Sequence, residues 1–164
     1  MKKLLVFLML FVLHKQLPAQ NYKFQALFIY NISQRIEWPD VNNAFVIGVV
    51  GTKELQNELQ AIAQKRQLFG HPIEVREVLP SKLDVEGCHL VYLARTMSSK
   101  VDQVKSLIAS KPVLLIGEKP GIEGVGINFI DNSKKIEFEI YPQTIKAHKL
   151  NVTSSLMSLG IVKN

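Results

Sequence analysis

Cysteine is almost missing from this chain: Cys88 is the only one in 164 residues. A single thiol excludes an intrachain disulfide framework and every cysteine-rich zinc fold. Tryptophan also occurs once, and the aromatic residues together make up 8%. Nine glycines and seven prolines are too few for a collagenous or low-complexity chain. The motifs G-x-G-x-x-G, G-x-x-x-x-G-K-[ST] and G-x-S-x-G are all absent, which removes the usual signatures of dinucleotide binding, P-loop chemistry and the hydrolase elbow. What is present is 47% hydrophobic and 21% charged residues. That balance buries a core and excludes disorder, and the length implies one domain.

The longest apolar run, Leu4 to Leu13, has ten residues and would span about half of a bilayer core as a helix. Lys2 and Lys3 precede it, and Leu17-Pro18-Ala19 follows as a small-residue cleavage site. Met1–Ala19 therefore reads as a cleaved signal peptide rather than a membrane anchor or a buried helix, which leaves residues 20–164 as the domain. No lipidation cysteine follows the run. The formal charge of +6 loses Lys2, Lys3 and Lys15 with the leader, leaving 17 basic against 14 acidic residues, or +3. That mild surplus, without a clustered basic face, does not support nucleic-acid binding. The expectation is a periplasmic protein of a bacterial envelope that does not itself span the membrane.

Phe24, Leu27, Phe28 and Ile32 fall at helical spacing and predict a helix from Tyr22 to about Gln34. Pro39 forces Trp38 out of it, so Ile36-Glu37-Trp38-Pro39 reads as an extended exit. Phe45–Val50, Leu90–Ala94 and Val113–Ile116 are continuous apolar runs that suit strands buried on both faces. Ile73–Arg76 alternates and predicts a more exposed strand. Leu55, Leu59 and Ile62 predict a helix over Lys53–Gln64, capped by Thr52. Val101, Val104, Leu107 and Ile108 predict another, opened by a Ser99/Asp102 capping box. After the glycine-rich stretch Gly117–Gly126, Ile127–Ile130 and Ile136–Ile140 predict a hairpin around Asp131–Lys134. A short helix near Gln143–His148 and a capped turn over Thr153–Leu159 close the chain. The fold class is α/β: a single-domain sandwich, its sheet mainly parallel with helices on both faces, and a C-terminal β-hairpin.

Candidate sites were weighed against plainer explanations. Gly48–Lys53 sits where phosphate loops sit, between a strand and a helix, but without a motif it reads as a tight turn. Cys88 and His89 are neighbours on a strand, so they point to opposite faces and cannot easily share a site. No histidine pair has metal-ligand spacing, and no cofactor is implied. Cys88 reads as a small buried residue, with an intermolecular bridge left open. Glu137 and Glu139 could pair as acids, yet alternation with Ile136, Phe138 and Ile140 explains them as a solvated strand face. Trp38 beside Glu37 is either a docking residue or a plug for the core edge. The loop with Gly117, Gly121 and Gly124 follows a central strand, where α/β sheets gather ligands; it is the best candidate for docking a small ligand or a partner. No nucleophile–base pair survives, so an enzyme is not expected.

Two segments then look familiar. Ala26-Leu27-Phe28-Ile29-Tyr30-Asn31 with Glu37-Trp38-Pro39 resembles the opening helix and exit of the YfiR-like family. Gly126–Ile130 with Lys135–Ile140 is similar to its closing hairpin, and Leu150–Met157 to its final segment. The resemblance spans about Tyr22 to Leu159. It implies a small, non-catalytic periplasmic α/β protein that binds the sensor domain of an inner-membrane protein, a diguanylate cyclase or a histidine kinase. An outer-membrane lipoprotein is a further implied partner, with cyclic di-GMP signalling and biofilm as the output. The better-studied members carry several cysteines, so redox switching by an internal disulfide does not extend to this chain. A homodimer stays open. The alternative function is a periplasmic small-molecule binding protein, with its pocket at the carboxyl ends of the three apolar strands.

Overall fold

The computed structural model describes residues 17–39, 41–131 and 135–163. Most of the expected leader, Met1–Ala19, lies outside the described residues; Leu17–Ala19 form the start of the first helix. That helix, α1 (Leu17–Ser33), buries Ala26, Ile29, Ile32 and Ser33 along one face, as the helical period requires. The chain leaves it in extended form, as Pro39 demands, through β1 (Ile36–Glu37).

Next come β2 (Phe45–Val50), α2 (Lys53–Ala63), β3 (Gln67–Leu68) and β4 (His71–Val78). β5 (Leu90–Leu93) leads through a 3-10 segment (Arg95–Lys100) into α3 (Val101–Leu107) and β6 (Leu114–Gly117). The hairpin strands are β7 (Ile127–Asp131) and β8 (Ile136–Ile140); residues 132–134 of its turn are outside the described residues. α4 (Pro142–Ala147), β9 (Asn151–Val152), α5 (Ser154–Met157) and β10 (Ile161–Val162) complete the order. No helix among the described residues is long and apolar enough to cross a membrane.

The main sheet runs β10-β8-β7-β6-β5-β2-β4-β3. Five of its seven pairings are parallel; β7–β8 and β3–β4 are antiparallel. β2 and β5 are buried along their whole length because both faces are covered. On one face α1 and α2 close a core around Ile29, Phe45, Leu55, Tyr92, Phe129 and Phe138. On the other, Val104 and Ile108 of the α3 region and the Leu83–Cys88 segment cover Val50, Val91, Leu93 and Leu115. The expected α/β sandwich with helices on both faces and a C-terminal hairpin is the observed fold.

Two local expectations fail for physical reasons, and some short elements were not expected at all. Leu107 is 43% exposed rather than buried, because α3 ends at it and Ile108 takes the core position. The Ser99/Asp102 capping box does not form: the 3-10 turn runs directly into α3, Lys100 occupies the N-cap, and Asp102 pairs with Lys105. The short strands β1, β9 and β10 carry no periodic signal, since two residues are too few to show one. By contrast, Thr52 caps α2 as expected, its hydroxyl accepting from Leu55 N at 3.4 Å.

Candidate functional site

The chain passes from β2 outward to β4, then returns to place β5 on the other side of β2. This makes β2/β5 the switch point of the sheet, and its carboxyl edge is where α/β folds hold ligands. A polar cluster occupies that edge. Tyr92, fully buried on β5, donates its hydroxyl to Glu118 Oε2 and lies 2.9 Å from Gln25 Oε1 of α1. A phenol has one proton, and the carboxylate is the stronger acceptor. Gln25, only 3% exposed, donates Nε2–H to Glu118 Oε2 at 3.5 Å. Glu118 Oε1 accepts from Arg95 N at 2.7 Å, and Arg95 Nε–H returns to Glu118 O at 3.3 Å.

Glu118 thus does two jobs. Ala94, at the N-cap of the 3-10 turn, has no side-chain oxygen to offer; the carboxylate caps that turn from 23 residues away. It also ties α1 to the sheet through Gln25 and Tyr92. Burial, followed by the Glu118 charge and hydrogen bond, drives the Tyr92 phenol well above its usual range. Burial also raises Tyr22 on the same helix, against a bond from Thr52 that lowers it. Both phenols are therefore neutral hydrogen-bonding groups, with no phenolate available as a base.

The sequence reading pointed to the loop after β6 but passed over Glu118, Tyr92, Gln25 and Arg95. One signal was there: a tyrosine inside an otherwise aliphatic buried strand needs a partner for its hydroxyl.

The five predicted docking residues divide between two places. Gly117 is the last residue of β6 and is buried, with Ile122 and Val125 packed where a side chain would stand. Gly121 and Gly124 lie in the loop at the carboxyl edge with φ of +71° and +77°, a region that favours glycine. Lys105 lies across Gly124, where a Cβ would meet its Cε at 2.5 Å. Glu37 and Trp38 lie elsewhere. The Trp38 ring meets Phe45 edge-on at 4.9 Å and lies near His89 at 6.3 Å, while Nε1–H donates to Ser33 O at 2.9 Å. Phe45 and His89 begin at the amino ends of β2 and β5, so Trp38 and the loop are separated by the strand length, roughly 17 Å. Trp38 is half-buried against the core and Glu37 is exposed.

The remaining candidates resolve simply. Met97 fills the space over Gly51, where a Cβ would meet it at 2.3 Å, so only glycine fits this β2–α2 turn, where φ is +87°. Cys88 faces the α3 side of the sheet, while His89 stacks on Phe45 on the opposite side and its Nδ1 accepts from Val46 N at 3.1 Å. The expected division of the two residues between faces holds, although both lie just before β5 rather than on a strand. Burial pushes the Cys88 thiol up to about 11. At pH 8 the folded protein is expected to resist thiol reagents, and the unfolded chain to react at its one cysteine. Stoichiometric labelling of the native state would contradict this placement. The same burial closes the intermolecular-bridge reading.

The solvated reading of Glu139 is corrected. Its side chain is 13% exposed, pairs with Lys163 at 3.2 Å, and accepts from Asn128 at 3.0 Å and Tyr141 at 2.8 Å. β10, which the sequence pattern does not reveal, brings Lys163 to it. Desolvation raises the Glu139 carboxyl, but these bonds outweigh it and hold the group below the ordinary carboxylate range. A depressed folded pKa adds stability above the unfolded value, and that increment disappears as pH falls through the folded one. Glu139→Gln is therefore expected to cost about 1–2 kcal/mol at pH 7, with the gap to wild type closing in acid. Urea titrations at pH 7 and pH 3 check it; a gap independent of pH would refute the assignment.

A family model described as YfiR/HmsC-like matches residues 22–161. Among curated proteins, none matches the chain.

Proposed function

The chain belongs to the YfiR/HmsC-like family, and from that premise we propose a non-catalytic periplasmic regulator that binds the sensor domain of an inner-membrane signalling protein. The observation that carries the reading is the family match across 22–161, which takes in most of α1 and the sheet as far as the first residue of β10. The partner would be a diguanylate cyclase or a histidine kinase, with an outer-membrane lipoprotein as a second partner and cyclic di-GMP as the signal affected. A regulator of this kind holds one conformation of its target; a tenfold shift needs only about 1.4 kcal/mol of differential binding. Two surfaces are available for docking: exposed Glu37 beside Trp38, and the loop bearing Gly121 and Gly124.

Crosslinking pull-down from the host envelope, with the chain tagged at its C-terminus, tests the proposal. Recovery of a membrane cyclase or kinase supports it and names the pathway. Recovery of none, with folded and abundant bait, refutes it.

A second reading is supported by the polar cluster at the carboxyl edge: a small-molecule binding protein whose ligand hydrogen-bonds Glu118. A ligand at a hundred times its Kd would add about 2.7 kcal/mol of stability. An unchanged melting temperature across a metabolite and nucleotide panel would remove this reading.

A further inference from the structure

Phe69 occupies a backbone position that suits asparagine or glycine. β3 and β4 are joined by the two-residue hairpin loop Phe69-Gly70, flanked by the pair Leu68↔His71. Both loop residues have positive φ, +54° and +80°. A loop of that form takes Asn-Gly, Asp-Gly or Gly-Gly, because its first residue too must be left-handed. For a bulky side chain such a φ is an outlier. Outliers of this kind persist against their own cost and cluster at sites that bind. The ring gains little burial in exchange: it is 49% exposed and meets Phe45 at a centroid distance of 6.2 Å. A Cβ at Gly70 would meet nothing within 4 Å, so the tip stands in open space.

The charge along this stretch of chain is of one sign. From Leu59 to Ile73 the sequence has no acid, while Lys65 and Arg66 are both exposed. Among the described residues neither forms an ion pair with a carboxylate, whereas Lys53, Arg76, Lys82 and Lys111 each do. Arg66 is held in place without one. Its guanidinium lies over the Tyr30 ring at 5.4 Å, and the Tyr30 hydroxyl donates to Gln67 O at 3.3 Å. Phe45 carries the Trp38 ring as well, at 4.9 Å. One aromatic strip therefore runs from the surface at Glu37 and Trp38 to the hairpin tip.

We propose that Phe69 is the docking anchor of the protein, and that it enters an apolar pocket rimmed by carboxylates on the sensor domain of the signalling partner. Lys65 and Arg66 pair with that rim. The inference rests on the regulatory reading above and assigns docking to the side of Glu37 and Trp38, not to the loop bearing Gly121 and Gly124. An aromatic ring in a desolvated pocket supplies affinity, and unpaired cations beside it set the association rate and the choice of partner. The turn presents the ring before the partner arrives, so little ordering is left for the binding step.

The test uses the full chain, tagged at its C-terminus, in the host envelope. The photo-cross-linker p-benzoylphenylalanine is placed at position 69 or, as a control, at position 159, where Leu159 is exposed by the opposite edge of the sheet. Position 69 is expected to cross-link an acid-bearing periplasmic peptide of an inner-membrane cyclase or kinase, and position 159 is not. Phe69→Asn is expected to cut capture of that protein by at least about tenfold. Its urea midpoint stays unchanged or rises, because asparagine tolerates the left-handed backbone. Lys65→Glu/Arg66→Glu cuts capture as well. Capture by wild type that is indifferent to either variant, cross-links from position 69 to a second copy alone or to nothing, or a lowered midpoint in Phe69→Asn would each overturn this inference and leave the regulatory reading standing. A wild type that captures no cyclase or kinase overturns both.

Discussion

Trp38→Ala is expected to lower the unfolding free energy by about 2–3 kcal/mol, just below the range of about 3–5 kcal/mol for removing a large aromatic from a core. The ring is half-buried, which sets the figure below that of a fully enclosed tryptophan. Its edge packs on Phe45, itself fully buried, and its indole N–H satisfies Ser33 O at the end of α1. Trp38→Phe keeps an aromatic against Phe45 but leaves that carbonyl without its donor, for a loss of about 1 kcal/mol. Urea titrations of the three proteins separate the terms, provided the slope with denaturant is unchanged. Should Trp38→Ala leave the midpoint where it is, the ring contributes nothing to packing and its role is in docking alone. A stability loss joined to normal partner capture would assign it to the core.

The second large effect lies at the carboxyl edge. Tyr92→Phe removes one hydroxyl from a buried cluster and is expected to cost about 2 kcal/mol, since the Gln25 amide and the Glu118 carboxylate lose a shared partner inside the protein. Glu118→Ala is expected to cost about as much or more, because Arg95 N then loses its acceptor as well. The double variant should fall short of the sum of the singles by about 1–3 kcal/mol, as for residues in one network. Strict additivity would show that the cluster does not act as a unit, and would also weaken the case that it holds α1 to the sheet.

Much of the framework is legible along the chain because it depends on local patterns. The aliphatic runs at Phe45, Leu90 and Leu114 announce strands buried on both faces. Thr52 announces the start of α2, and Pro39 the end of the helix before it. Cys88 and His89 do face opposite ways, as the strand reading expects, but from the stretch just before β5, where the strand period does not apply. The segments that resembled a family, Glu37-Trp38-Pro39 and Leu150–Met157, are more than one hundred residues apart, yet they meet. Ile36 pairs with Val152 and Glu37 with Asn151, and Thr153 Oγ1–H donates to Arg35 O at 3.0 Å. That meeting is invisible in the sequence, because two-residue strands have no period and their partners are distant.

Composition and periodicity by themselves determined that this is one α/β domain with a thiol unable to form an internal disulfide. They also located the stretch after β6 as the place to look. Only the tertiary structure decided which residues act there. Glu118 becomes the cap of the Arg95 turn and the acceptor of Tyr92 because the crossover through α3 sets β6 beside β5. Glu139 changes from a solvated acid to a half-buried, paired one because β10 brings Lys163 alongside it. The physical reason is the same in both cases. Period and propensity act over a few neighbouring residues, whereas a carboxylate's partners are whatever the chain topology delivers within about 3 Å.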